Sequence, residues 1–283
     1  MDASHYKEAL ASAKQAALDA GEIIMAAVAS QENSRVQVKS GVDLVTETDK
    51  KAEKAIIERL RASHPDHKFM GEESTFEEAG QAGAVDFDTM EASPTWVIDP
   101  LDGTTNFVHG YPFFCVSIAL AVDGVPVVGV VYHPVSGDLY TACEGQGAFL
   151  NDAKIEVRDA QGLGDALVVN NIGAARDDAF IATTLARLGE LLRRKVQAIR
   201  MSGSAALNMC HVACGKLDCY YEDGYGGPWD VAAGLVIVKE AGGVVRDLRN
   251  AEFVVKPGKG QVVCGSERVV VEVCAALAAA DIV

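Results

Sequence analysis

Two long apolar stretches, residues 113–122 and 125–132, are rich in β-branched residues and meet at Asp123-Gly124. β-Branched side chains fit a pleated strand, and Asp-Gly readily adopts the positive φ angles of a two-residue hairpin turn. This feature commits the first half of the chain to an antiparallel sheet, with further strands expected at 68–70, ending at Gly71, and at 95–98 and 139–143. Apolar periodicity predicts a helix over 4–29. A strand pair at 35–38 and 44–46 follows. A charged helix then opens at Thr48 or Asp49, runs to about Ala62 and closes near Pro65. Residues 74–93 are acidic and irregular and read as an exposed, mobile loop.

After about residue 155 the rhythm changes. Strands at 166–170, 196–200 and 217–222 alternate with helices at 177–193 and 204–214. A helix opens at Pro228, strands lie near Val244 and at 262–264, and a last helix ends the chain. Alternation of this kind implies an α/β layer. The 283 residues allow one large domain or two of ordinary size. No repeat, low-complexity tract or Pro/Ser linker divides them, so an N-terminal half (1–155) and a C-terminal half (156–283) are expected to share an interface.

Composition narrows the function. With 49% apolar and 23% charged residues the chain is globular, not disordered, collagenous or coiled-coil. A net charge of −15 repels nucleic-acid backbones and anionic lipid, so neither is an expected partner. A small phosphate could still bind, given metal cations or backbone amides. Seven cysteines include no C-x-x-C pair. Cys210, His211 and Cys214 could suggest zinc, but small apolar fillers in a reduced interior are the simpler reading. Reduced thiols imply the cytosol. The N-terminal helix carries acids and lacks the basic region of a signal peptide, and no apolar run reaches the ~18–20 residues of a membrane span.

Three segments place carboxylates at element ends. Glu72 follows a strand in Gly71-Glu72-Glu73-Ser74. In the segment 96–106 an apolar strand ends on Asp99, Pro100 stops sheet pairing, and Asp102 lies three residues on, so a turn can bring both acids to one point. The Leu101 carbonyl can face the same point, and hard oxygens of this kind suit Mg2+. Gly103-Thr104-Thr105 permits close backbone approach, and its amides could cradle a phosphate. Asp230 falls in the first turn of the apolar helix opened by Pro228. Dipole stabilisation alone would explain it, but a carboxylate at the end of a buried helix is costly unless it meets a cation. Asp49 reads as a helix N-cap, with Thr46 and Thr48 competing for that role.

At these segments, GEES, WVIDPLDGTTNFVHGYPFFCVSIAL, MSGSAALNMC and PWDVAAGLVIVKEAGG, the chain resembles the inositol monophosphatase family over nearly its whole length. The resemblance implies an α+β fold, an αβαβα layered sandwich with an antiparallel half followed by an α/β half. It also implies a Mg2+-dependent, lithium-sensitive phosphatase with two or three ions per site, forming a homodimer. It implies metal ligation by Glu72, Asp99, the Leu101 carbonyl, Asp102 and Asp230. Asp49 matches the acid that pairs with Thr104, and Glu72 and that pair would orient the attacking water. Gly103 and Thr104 match a phosphate cradle, and Asp102 and Asp230 count among the substrate-binding positions as well. Gly203, Ser204, Ala205 and Glu222 match the pocket for the alcohol part of the substrate. The expected reaction is hydrolysis of myo-inositol 1-phosphate or a related alcohol or sugar monophosphate. The stretch EDGYGGPWD has the form of plant-type members, which makes L-galactose 1-phosphate the alternative. A phosphoenzyme on Asp99 is disfavoured because Leu101 stands where an acid would be needed. A non-catalytic metabolite sensor or scaffold is the reading from another class, and the intact Glu72, Thr104 and ligand positions oppose it.

Overall fold

The computed structural model describes residues 3–30, 36–40, 43–75, 93–256, 258 and 260–281. Strands β3 (Lys68–Gly71), β4 (Thr95–Asp102), β5 (Cys115–Val122), β6 (Val125–His133), β7 (Asp138–Cys143), β8 (Ala148–Leu150) and β9 (Ala153–Ile155) form a seven-stranded sheet in sequential order. Strands β10 (Leu167–Asn171), β11 (Ala198–Arg200), β12 (Cys219–Tyr225), β13 (Val244–Arg246) and β14 (Gly260–Gly265) form a second sheet in the order β11-β10-β12-β14-β13.

The layers follow from which faces are apolar. Along β5, Val116, Ile118 and Leu120 pack with one cluster and Cys115, Ala119 and Ala121 with another, so both faces of the strand are covered. Helices α1 (Ala3–Ala29) and α2 (Glu47–Ser63) cover the first face; an alanine stripe at 9, 13, 16, 17 and 20 lets α1 lie close. Short strands β1 (Val36–Ser40) and β2 (Asp43–Thr46) pair between these helices. The second face meets α5 (Ala205–Ala213) and α6 (Pro228–Glu240), which also touch the five-stranded sheet. Gly129 on β6 allows this: a Cβ there would sit 2.5 Å from the Ala233 carbonyl oxygen. Helices α4 (Asp178–Arg193) and α7 (Glu267–Ala280) pack together, and Leu191 of α4 and the apolar face of α7 share a third core with the five-stranded sheet. The result is a five-layer α/β/α/β/α sandwich.

Several local expectations need correction. Pro100 does not end its strand. Pairing lapses between Asp99↔Ser117 and Asp102↔Cys115 and then resumes, because the irregularity absorbs the missing donor. Thr46, not Thr48 or Asp49, caps α2, and Asp49 closes a capping box by accepting from the Thr46 amide at 3.0 Å. The first sheet is mixed, since β3 and β4 run parallel. The β8–β9 hairpin was missed although Asn151-Asp152, both at positive φ (48° and 65°), is a recognisable turn pair. Arg35 and residues 76–92 of the acidic stretch lie outside the described residues.

Candidate active site

The carboxylates singled out in the sequence arrive at one cleft from four elements. Glu72 leaves the end of β3, Asp99 and Asp102 occupy the end of β4, Glu222 lies on β12, and Asp230 stands in the first turn of α6. All five line a cleft of about 310 Å3, together with Leu101, Gly103, Thr104, Gly203 and Trp229. Asp49 sits one layer behind and is 1% exposed. The Thr104 hydroxyl lies 3.2 Å from Asp49 Oδ1 and 3.0 Å from the Leu101 carbonyl, so its proton is shared between two acceptors.

Backbone geometry brings the β4 end inward. Gly103 adopts φ +92°, and an added Cβ would meet the Phe113 carbonyl at 2.9 Å, so both conformation and space require glycine. The short helix α3 (Thr104–Val108) begins immediately after it. Gly203, at φ +86°, similarly opens the turn into α5.

Burial and mutual repulsion dominate the electrostatics. Desolvation pushes Asp99 well above the usual carboxylate range, and Glu72, Asp102 and Asp230 add to the shift. Asp230 is likewise held well above that range by burial, then by Asp102, Glu72 and Glu222. Burial pushes Asp102 up to about 6, although hydrogen bonds from Ser204 and the Ala206 and Ala205 amides pull the other way. Asp49 is pushed up to about 6 and Glu222 to about 7, again chiefly by burial. Carboxyl groups held this way resist ionising together unless positive charge is supplied.

Some residues assigned to the alcohol pocket occupy supporting places. Ser204 is fully buried; its hydroxyl donates to Asp102 Oδ2 at 2.6 Å and caps α5 through the Leu207 amide. The Ala206 amide reaches the same oxygen at 2.7 Å and the Ala205 amide reaches Oδ1 at 3.3 Å. Neither Ser204 nor Ala205 lines the cleft; they hold Asp102. Glu222 does face it, with Oε2 accepting from both Tyr220 and Asn171. Among the described residues no three His, Cys, Asp or Glu side chains are grouped so as to hold a metal ion as they stand. Asp102 is drawn onto the α5 N-terminus, and Asp230 accepts from the Gly226 amide at 2.6 Å.

Sequence reasoning missed Arg176, the one basic side chain among the described residues lining this cleft. It donates to the Gly173 and Ala175 carbonyls at 2.9 and 2.6 Å, bracing the loop after β10. That loop follows the carboxyl end of a parallel strand, a position where α/β sheets present ligands. Cys210 is buried and Cys214 partly buried, and all seven cysteines are free thiols.

Comparison with known proteins fits this geometry. The model of the inositol monophosphatase family matches residues 5–281. The chain is 50% identical over 239 residues to inositol monophosphatase 2 of Solanum lycopersicum, covering 84% of this chain and 87% of the relative. It is 42% identical over 252 residues to inositol monophosphatase 1 of Homo sapiens, covering 89% and 87%. Among solved structures, extragenic suppressor protein suhB from Bartonella henselae superposes with a TM-score of 0.82 at 35% identity, covering 93% of this chain and 95% of that one. An inositol monophosphatase from Anabaena superposes with a TM-score of 0.79 at 34% identity, covering 95% of each. Five acids around one cleft, in a fold and sequence shared over nearly the full chain, place this protein in the inositol monophosphatase family and make it a phosphatase, a hydrolase of phosphoric monoesters.

Proposed function

We propose that the protein hydrolyses myo-inositol 1-phosphate and related alcohol or sugar monophosphates to the free alcohol and inorganic phosphate, with Mg2+ held in the acidic cleft. The observation that carries this reading is the convergence of five carboxylates, all hard oxygen donors, on a cleft beside Gly103 and the start of α3. Hard oxygens suit Mg2+ rather than a soft metal, and the raised carboxyl pKa values mark a site that favours added positive charge. Glu72, Asp99, the Leu101 carbonyl, Asp102 and Asp230 would hold the ions. Bound Mg2+ supplies charge that offsets the cleft and the phosphate, acidifies a water and stabilises the leaving oxygen.

The chain's own residues do the rest. The Thr104 hydroxyl, held between Asp49 and the Leu101 carbonyl, and the Glu72 carboxylate orient the attacking water for in-line displacement. Amides at Gly103 and Thr104 cradle the phosphate. With Oε2 fixed by Tyr220 and Asn171, Glu222 offers Oε1 to a hydroxyl of the leaving alcohol. Gly203 borders the same pocket, and Ser204 and Ala205 act through Asp102.

A homodimer in a reduced, cytosolic compartment completes the reading. Exposed Tyr111, Ile172 and Met201 surround one surface cavity, and Ile172, Ile181 and Leu185 a second that shares Ile172 and Arg176 with it. Exposed apolar side chains set among polar ones in this way suit a second copy of the chain. The deciding experiment is a comparison of kcat/KM on myo-inositol 1-phosphate and L-galactose 1-phosphate with and without Mg2+. Mg2+-dependent phosphate release with inositol phosphate preferred supports the proposal. Preference for the galactose ester replaces its substrate, and activity unaffected by Mg2+ removal contradicts it.

A further inference from the structure

Helix α2 carries two buried acids one turn apart, and only one belongs to the site described above. Asp49 reaches Thr104; Glu53, 4% exposed, reaches the segment that bears Glu72. Residues 72–75 form a helical turn after β3, which leaves Gly71 at its N-cap. A glycine has no side chain to accept the first free amides of a helix. Glu53 supplies the acceptors instead. Its Oε2 takes the Glu73 amide at 2.8 Å and its Oε1 the Ser74 amide at 2.9 Å. A Cβ on Gly71 would overlap that carboxylate, so the acid fills the place of the missing cap.

We infer that Glu53 is a positioning residue for Glu72: it fixes the turn from which Glu72 enters the cleft, so that α2 sets both Thr104 and Glu72. The inference rests on the role given to Glu72 above. Two divergent amides need two acceptor oxygens. Glutamine offers one and turns a donor toward the other amide, so Glu53→Gln keeps the shape and breaks the clamp. Gly71→Ala should break it from the other side.

The test has a direct reading and a functional one. In the wild-type, metal-free protein the Glu73 and Ser74 amides should be protected from hydrogen exchange. In Glu53→Gln they should exchange at least about tenfold faster. Titration calorimetry should show Mg2+ binding weakened about tenfold, with kcat reduced on a similar scale and the KM for myo-inositol 1-phosphate nearly unchanged. Gly71→Ala should give the same pattern. In a Glu72→Gln background, Glu53→Gln should cost less than about a further twofold, because it acts through Glu72. Unprotected amides in the wild type overturn the inference even if no variant folds. So does a Glu53→Gln protein with a lowered melting temperature but unaltered Mg2+ binding and kcat. If Glu72→Gln itself leaves Mg2+ binding and turnover intact, the proposed function fails instead.

Discussion

The protein buries charge in two opposite ways. On the far side of the five-stranded sheet, Arg187 of α4 is 8% exposed and fully engaged. It donates to Asp223 of β12 at 2.5 Å, and its Nε and Nη2 grip Asp281 beyond α7 at 2.8 and 2.9 Å. Opposite charges meet there, and three elements are tied together. In the cleft, Asp99 is buried and Asp230 half-buried among other carboxylates, and desolvation and repulsion raise their pKa values. A closed pair serves the fold, whereas a set of uncompensated acids costs stability and persists because something else supplies the missing charge.

Opposite responses to mutation should follow. Asp99→Asn and Asp230→Asn should lower kcat by about a hundredfold or more, since on the proposed reading each removes a metal ligand. The same substitutions should raise the melting temperature of the metal-free protein by relieving repulsion. Steady-state kinetics and scanning calorimetry on each variant check both halves. Arg187→Leu should do the reverse. With Asp223 and Asp281 still partly exposed, the loss should be about 1–3 kcal/mol in urea unfolding, below that of a fully buried pair. Turnover of the folded molecules should stay within about threefold of wild type.

Glu222 sharpens the contrast within the cleft itself. Glu222→Gln should reduce kcat/KM for polyol phosphates by about 5- to 150-fold, the worth of one hydrogen bond of ~1–3 kcal/mol. An aryl phosphate without neighbouring hydroxyls should be affected much less, and the Mg2+ requirement should not move. Equal losses on both substrates would assign Glu222 to the metal cluster.

How far these features could be read from the sequence depends on how local their causes are. The β5–β6 hairpin was legible because Asp123-Gly124 sits between two apolar runs and needs nothing else. The five-layer order and the acids Glu72, Asp99, Asp102 and Asp230 were legible through family resemblance, because their spacing alone cannot bring three elements together. Asp49 was misplaced by one turn position, since Thr46, Thr48 and Asp49 are all competent caps and only the β2–α2 junction chooses among them. Ser204 was assigned to the alcohol pocket, yet its hydroxyl lies on Asp102, a contact across 102 residues that no local pattern encodes. Glu53 escaped notice for the same reason, since it caps a turn on a different element; Arg176 braces its own loop through neighbouring carbonyls, and only the folded loop brings it to the cleft.

The central claim is that cations complete the cleft, and melting of the metal-free protein with and without Mg2+ at two pH values tests it most directly. Unfolded carboxyls titrate near pH 4, while Asp49, Asp102 and Glu222 do so at about 6, 6 and 7 in the fold. Folding binds protons more tightly here, so the contribution of these groups to stability is fully present below about pH 4 and lost as pH rises through about 6–7. Mg2+ should therefore raise the melting temperature by on the order of 5 °C at roughly 100 times its Kd at pH 8, and by much less at pH 5. A melting temperature that ignores Mg2+ at both pH values would contradict the account.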